Sequence, residues 1–163
     1  MRLVPITAED EELTVRLECD PEIMRYIGGA RPEADVRRAH KRRLALMAQG
    51  EARMYKIVAD DSGEALGTVG IWKNDWKGPH AYEMGWFVLP EHQGKGIATE
   101  AAQLIITQAR ANPEVRQVYA YPAVGNAASN AIARKIGMEN QGEFDNGGFA
   151  GILRCNDWRM DLR

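Results

Sequence analysis

The segment Gln93-Gly94-Lys95-Gly96-Ile97-Ala98-Thr99 stands between an apolar run, Met84-Gly85-Trp86-Phe87-Val88-Leu89, and an alanine- and isoleucine-rich stretch over residues 100–109. That order reads as a strand, a glycine turn and the first turn of a helix. Such a junction aims unpaired backbone N–H groups and the positive end of a helix dipole at one point, which suits a phosphate. The segment therefore predicts a phosphorylated cofactor, and it ties a helix to the strand just before it.

Two nucleotide motifs use similar glycines, and both fit poorly. A P-loop needs Gly-Lys followed by Ser or Thr, whereas Lys95 is followed by Gly96. A dinucleotide fingerprint needs a third glycine where Thr99 stands, early in an alternating β/α chain. For a lone glycine pair an ordinary strand-to-helix turn is the better explanation, so the rest of the chain has to decide.

Along that chain, residues 3–6 read as a short strand, and Thr7 with Asp10 forms an approximate capping box for a helix over residues 8–18. Asp20-Pro21 starts a short helix to about Tyr26, which Gly28-Gly29 stops. A longer helix opens at Pro32, with Val36, His40, Leu44 and Met47 on one face, and ends at Gly50. Residues 54–59, 65–72 and 81–89 form an antiparallel meander, and a helix over 95–112 with a broad apolar stripe follows. A strand over 115–121, a helix over 126–136 closed by Gly137, and a final strand within 152–162 complete the pattern. Residues 142–151 are expected to be a mobile hairpin loop. The fold class is thus mixed α/β, one sheet with helices packed on it.

At 163 residues and 45% hydrophobic content the chain is expected to form a single domain, 1–163, with a real core. It lacks a run of about 20 apolar residues and an apolar leader, which predicts a cytoplasmic protein, not a membrane one. A net charge of −2 disfavours nucleic acid as the main partner. Cys19 and Cys155 have no metal or disulfide spacing and read as reduced thiols. His40, His80 and His92 are too scattered for a metal site and read as surface or loop residues.

The pattern Gln93-x-x-Gly96-x-Ala98 matches a Gln/Arg-x-x-Gly-x-Gly/Ala signature. Downstream, Asn126-x-x-Ser129 opens a helix that closes at Gly137-Met138. Together, at this separation, they resemble the GNAT acyl-CoA N-acyltransferases. The pieces Glu83-Met84-Gly85-Trp86 and Asp157-Trp158 look most like the ribosomal-protein-acetylase-like branch. The resemblance covers nearly the whole chain and is weakest in the N-terminal third. It implies a mostly antiparallel sheet that splays between two parallel strands, with helices on both faces, and acetyl-CoA as co-substrate without a metal.

Carried over by motif, the backbone of Gly94, Lys95, Gly96, Ile97, Ala98 and Thr99 would hold the CoA pyrophosphate, and Trp86, Phe87 and Val88 would present strand backbone to the pantetheine. Asn126 and Ser129 would line the reactive end, in the gap between that strand and residues 115–121. Lys95 reads either as a charge beside phosphate or as a solvated loop lysine.

An amine attacks a thioester only when neutral, so the site must take a proton from an ammonium and supply one to the departing thiolate. Glu83, in an otherwise apolar strand, is the candidate base; its competing reading is a structural carboxylate. The position where a well-known branch carries a tyrosine is Ala133 here, and Tyr121 replaces a glutamate upstream. Ser129 is the preferred proton donor, with Tyr121, or Tyr119, as the alternative. The Val88 N–H is a candidate oxyanion donor.

Acceptor selection falls to the N-terminal helices, the 73–79 loop and the 142–151 segment. Tyr26, Trp72 and Trp76 are candidates for an aromatic wall around an alkylammonium, with core packing as the competing reading. The expected activity is acetyl transfer to a primary amine, of a small metabolite or antibiotic or of a protein N-terminus, by a monomer or homodimer. The alternative is a non-catalytic CoA-binding module of the same fold.

Overall fold

In a computed structural model, residues 1–148 and 151–163 are described. The strands are β1 (Arg2–Pro5), β2 (Ala52–Val58), β3 (Ala65–Lys73), β4 (Ala81–Val88), β5 (Gln117–Ala120), β6 (Glu139–Gly148) and β7 (Gly151–Asp161). The helices are α1 (Glu11–Glu18), α2 (Pro21–Met24), α3 (Glu33–Ala48), α4 (Ile97–Arg110) and α5 (Ala127–Lys135). The strands make one sheet in the order β1-β2-β3-β4-β5-β7-β6. Each neighbouring pair is antiparallel except β4 and β5, which run parallel. The sheet and the helices are the mixed α/β fold expected from the sequence.

Alternation of side chains sorts the strands into two faces. Val69, Ile71, Tyr82 and Met84 join Ala101, Ala102, Ile105 and Ile106 of α4 in the main core. Alanines on the buried face of α4 let the helix lie close to the sheet. Each buried isoleucine there contributes roughly 1.5–3 kcal/mol. The opposite face packs against α1 and α3, where Leu13, Leu17 and Leu89 form a smaller cluster with Phe87 against it. Glu83, Gly85 and Phe87 therefore share the face covered by the N-terminal helices.

At the N-terminus the expected capping box is present: the Thr7 N–H donates to Asp10 Oδ2 at 2.9 Å. The first turn, Ala8–Asp10, is a 3-10 turn, and the α-helix proper begins at Glu11. His40 is not a surface residue, for only 1% of it is exposed. Thr14 Oγ1 and the Thr7 carbonyl hold its two ring nitrogens, each at 2.9 Å, tying α3 to α1.

Residues 142–148 are not a loop. They continue β6, paired with β7 from Glu143↔Asn156 to Gly148↔Gly151, and Arg154 bridges Glu143 and Asp145. The glycines that suggested a loop mark instead a register shift between Asn140 and Glu143 and the end of the ladder. Residues 149 and 150 of that expected loop lie outside the described residues.

Candidate active site

The parallel β4–β5 ladder pairs Ala81↔Gln117, Tyr82↔Val118 and Glu83↔Tyr119, and it stops there. β4 stays paired with β3 as far as Gly67↔Val88. Its other edge is open beyond Glu83, so the sheet splits along half of its central strand. The Leu89 N–H donates to Leu66 on the β3 side. By alternation, Trp86 and Val88 turn their peptide groups into the gap. The Gln93 side-chain amide donates to the Val88 carbonyl at 3.0 Å. The signature glutamine thus pins the glycine turn to the strand and leaves the Val88 N–H facing the gap.

Gly94 and Gly96 have φ of +74° and +79°, the left-handed region that a side chain strains. No protein atom lies within 4 Å of where a Cβ would stand on either. Gly96 caps α4, and the first backbone bond of the helix runs from Glu100 N to Gly96 O. The N–H groups of Ile97, Ala98 and Thr99 therefore have no intrahelical acceptor. The three residues lie at the positive end of a 14-residue helix.

These parts border one cleft of 530 Å³. Trp86, Phe87 and Val88 form its strand side; Gln93, Gly94 and Gly96 its turn; and Ile97, Ala98 and Thr99 its helical end. Asn126 and Ser129 close the far wall. Asn126 caps α5 by accepting from the Ser129 N–H at 3.1 Å, so the Ser129 hydroxyl is not the cap. Lys95 does not border the cleft; its Nζ turns back to the Glu91 carbonyl at 3.0 Å.

Glu83 stands at the last paired rung, with Trp72 directly across on β3. Burial pushes its carboxyl up to about 7, opposed in part by a hydrogen bond from Trp72. A Cβ on Gly85 would come within 3.0 Å of the Trp72 ring, so the glycine lets the indole lie across β4. Tyr121, just past β5, accepts a 2.9 Å hydrogen bond from Asn74 Nδ2. Burial, then the negative charges of Asp157 and Glu83, push its phenol well above the ordinary value.

The three aromatic candidates for an acceptor wall do not come together. Tyr26 borders the 530 Å³ cleft, where Arg25 lies 4.5 Å over its ring. Trp72 borders a separate cavity of 370 Å³ under α1 and α3. Trp76 is 61% exposed and packs against Tyr121 and Phe144, at 5.7 and 5.8 Å.

Two supports escaped sequence reasoning. Asn130 is buried; its Nδ2 donates to the Ala123 and Asn126 carbonyls, and its Oδ1 accepts from Asn156 and Trp158. This network fixes the start of α5 on β7. Glu18, 3% exposed, pairs with Arg31 and Arg43 and joins α1 to α3. Neither is marked in the sequence, because the partners that tie each to another element, Asn156 and Trp158 for Asn130 and Arg43 for Glu18, lie 25 to 28 positions away.

The split sheet beside a glycine-opened helix offers a slot for an extended co-substrate that carries phosphate. Residues 1–139 match the family model described as Acetyltransferase (GNAT) domain, and the chain belongs to that family. It is 27% identical over 151 residues to the uncharacterized N-acetyltransferase YnaD of Bacillus subtilis, covering 92% of this chain and 83% of that one. It is 28% identical over 162 residues to the spermidine N(1)-acetyltransferase of Escherichia coli K12, covering 94% and 83%. In fold it is similar to a Salmonella typhimurium acetyl transferase that modifies the N-terminal serine of the 50S ribosomal subunit protein L7/L12. That likeness has a TM-score of 0.83 at 18% identity, over 99% of this chain and 94% of that one. The chain is an N-acetyltransferase whose co-substrate is acetyl-CoA. The open glycine turn, the free N–H groups and the split strand fit that co-substrate. Among the described residues, no helix is long and apolar enough to cross a membrane.

Proposed function

We propose that this single domain acetylates a primary amine, on a small molecule or a protein N-terminus, by direct transfer while both substrates are bound. Acetyl-CoA supplies the activated acyl group. The Gly94–Thr99 backbone binds its pyrophosphate and the open edge of β4 aligns its thioester arm. Glu83 removes the proton from the amine, directly or through water. The observation that carries this reading is the position of Glu83, on the last rung before the sheet splits, together with a carboxyl raised to about 7. A base with that affinity for protons is poised for neutral pH.

The Val88 N–H stabilises the oxyanion of the tetrahedral intermediate. Ser129 hydrogen-bonds the departing sulfur and relays to it, through its hydroxyl, the second proton that the nitrogen loses as the amide forms, so the serine ends protonated as it began. That Ser129 borders the cofactor cleft and Tyr121 does not supports this choice. The reaction takes place in the cytoplasm. The test is acceptor-dependent release of CoA thiol across a panel of primary amines. Release with at least one amine, lost in Glu83→Gln, supports the reading. No release by a folded protein that binds CoA would leave the non-catalytic module in its place.

A further inference from the structure

The loop between β3 and β4 folds over the β5 and β7 strands on the Glu83 side of the sheet. Asn74 reaches Tyr121, and Lys77 Nζ pairs with Asp157 Oδ2 at 2.5 Å. Two acceptor oxygens there, Asn74 Oδ1 and Asp157 Oδ1, are buried without a hydrogen-bond partner among the described residues. Asn74 is only 4% exposed. A buried polar atom left without a partner is costly, and a ligand with N–H donors would remove that cost. Trp72, two residues before Asn74, and Tyr119, two residues before Tyr121, both stand directly beside Glu83 in the sheet, and Tyr119 pairs with Arg159, two residues after Asp157, so these acceptors lie on the same sheet face as the amine-activating carboxylate.

The walls are aromatic. Tyr121 meets Phe144 edge-on at 5.1 Å, and Trp76 packs against both. One cation already occupies the rim: Lys77 Nζ lies 4.4 Å from the Trp76 ring centre and 4.9 Å from that of Tyr119. A second charge on the substrate would meet this lysine.

We propose that Asp157 Oδ1 and Asn74 Oδ1 bind the ammonium of the acceptor before Glu83 deprotonates it, and that Trp76, Tyr121 and Phe144 enclose its apolar substituent. The substrate class is then a primary amine with one positive charge beside an apolar group, not a polyamine. The assignment rests on the amine-acetylating reading, and its test measures binding, so the two can fail separately.

Calorimetry on the CoA-saturated protein uses three probes: 2-phenylethylamine, its N,N,N-trimethyl analogue, which lacks N–H donors, and spermidine. Phenylethylamine is expected to bind at least tenfold more tightly than either of the others. Asp157→Asn and Asn74→Ala each weaken it about tenfold, the second with the Lys77–Asp157 pair intact. Lys77→Met frees Asp157 from its internal partner and tightens phenylethylamine binding severalfold. Were Asp157 only a latch for the loop, Lys77→Met and Asp157→Asn would both weaken binding. That outcome overturns the assignment, as does equal affinity for the trimethyl analogue, tighter spermidine, or no effect of Asp157→Asn. Phenylethylamine binding in this pattern without acetyl transfer keeps the site and refutes the reaction.

Discussion

Replacing Glu83 with glutamine keeps the shape of the side chain and its capacity to accept from Trp72, while removing its charge. An exposed glutamate ionises near 4.5, and burial holds Glu83 protonated up to about 7 in the folded chain. At roughly 1.4 kcal/mol per pH unit, that difference amounts to about 3 kcal/mol. The sign follows from proton binding. Between those two values the folded state holds a proton that the unfolded state has lost, so stability falls as pH rises. The contribution is whole below about 4.5 and gone above about 7. Glu83→Gln should match wild type near pH 4 and exceed it by about 3 kcal/mol at pH 8, roughly 6–12 °C in Tm for a chain of this size. Urea unfolding of both proteins from pH 4 to 8 isolates this carboxylate, because the other ionisable groups cancel in the difference. The same substitution should lower kcat roughly 100-fold or more and abolish a rising limb near pH 7. Stability curves that run parallel across this range would show that Glu83 ionises as an exposed carboxylate does, and the argument for it as a base at neutral pH would fall.

Gly96→Glu should abolish acetyl-CoA binding in a thermal-shift titration, since it adds a negative charge facing the phosphate site and strains the left-handed turn by about 1–2 kcal/mol. Asn130→Ala removes four hydrogen bonds and leaves Trp158 Nε1 without its acceptor; denaturant unfolding should show a loss of about 2–4 kcal/mol. Ser129→Ala should lower kcat roughly 100-fold with the KM for acetyl-CoA little changed, whereas Tyr121→Phe should act chiefly on the KM for the amine. The reverse pattern in steady-state kinetics would move the proton donor to Tyr121.

The glycine turn, the strand before it and the caps that border the cleft were legible in the sequence because their signals are local. Positive-φ glycines, an Asn cap three residues before Ser129, and an apolar strand just ahead of the turn all act over a few residues. The acceptor side was not. Tyr26, Trp72 and Trp76 share a residue type, yet three different environments hold them. Residues 142–148 carry glycines and charges typical of a loop, and pairing with β7 overrides that composition, since each backbone group gains a ladder partner. His40 lies on the apolar face of α3, but only its contacts with Thr7 and Thr14 explain a buried imidazole.

The sequence by itself determined the mixed α/β class, the family and the glycine turn that opens α4, because these depend on patterns within short stretches of chain. Tertiary structure alone decided where β4 and β5 part and how deeply Glu83 is buried. It also brought Asn74, Lys77, Tyr121 and Asp157 together. Those residues lie as many as 80 or more positions apart, and only the closing of the sheet brings them into contact, where the loss of water gives their charges and hydrogen bonds chemical effect.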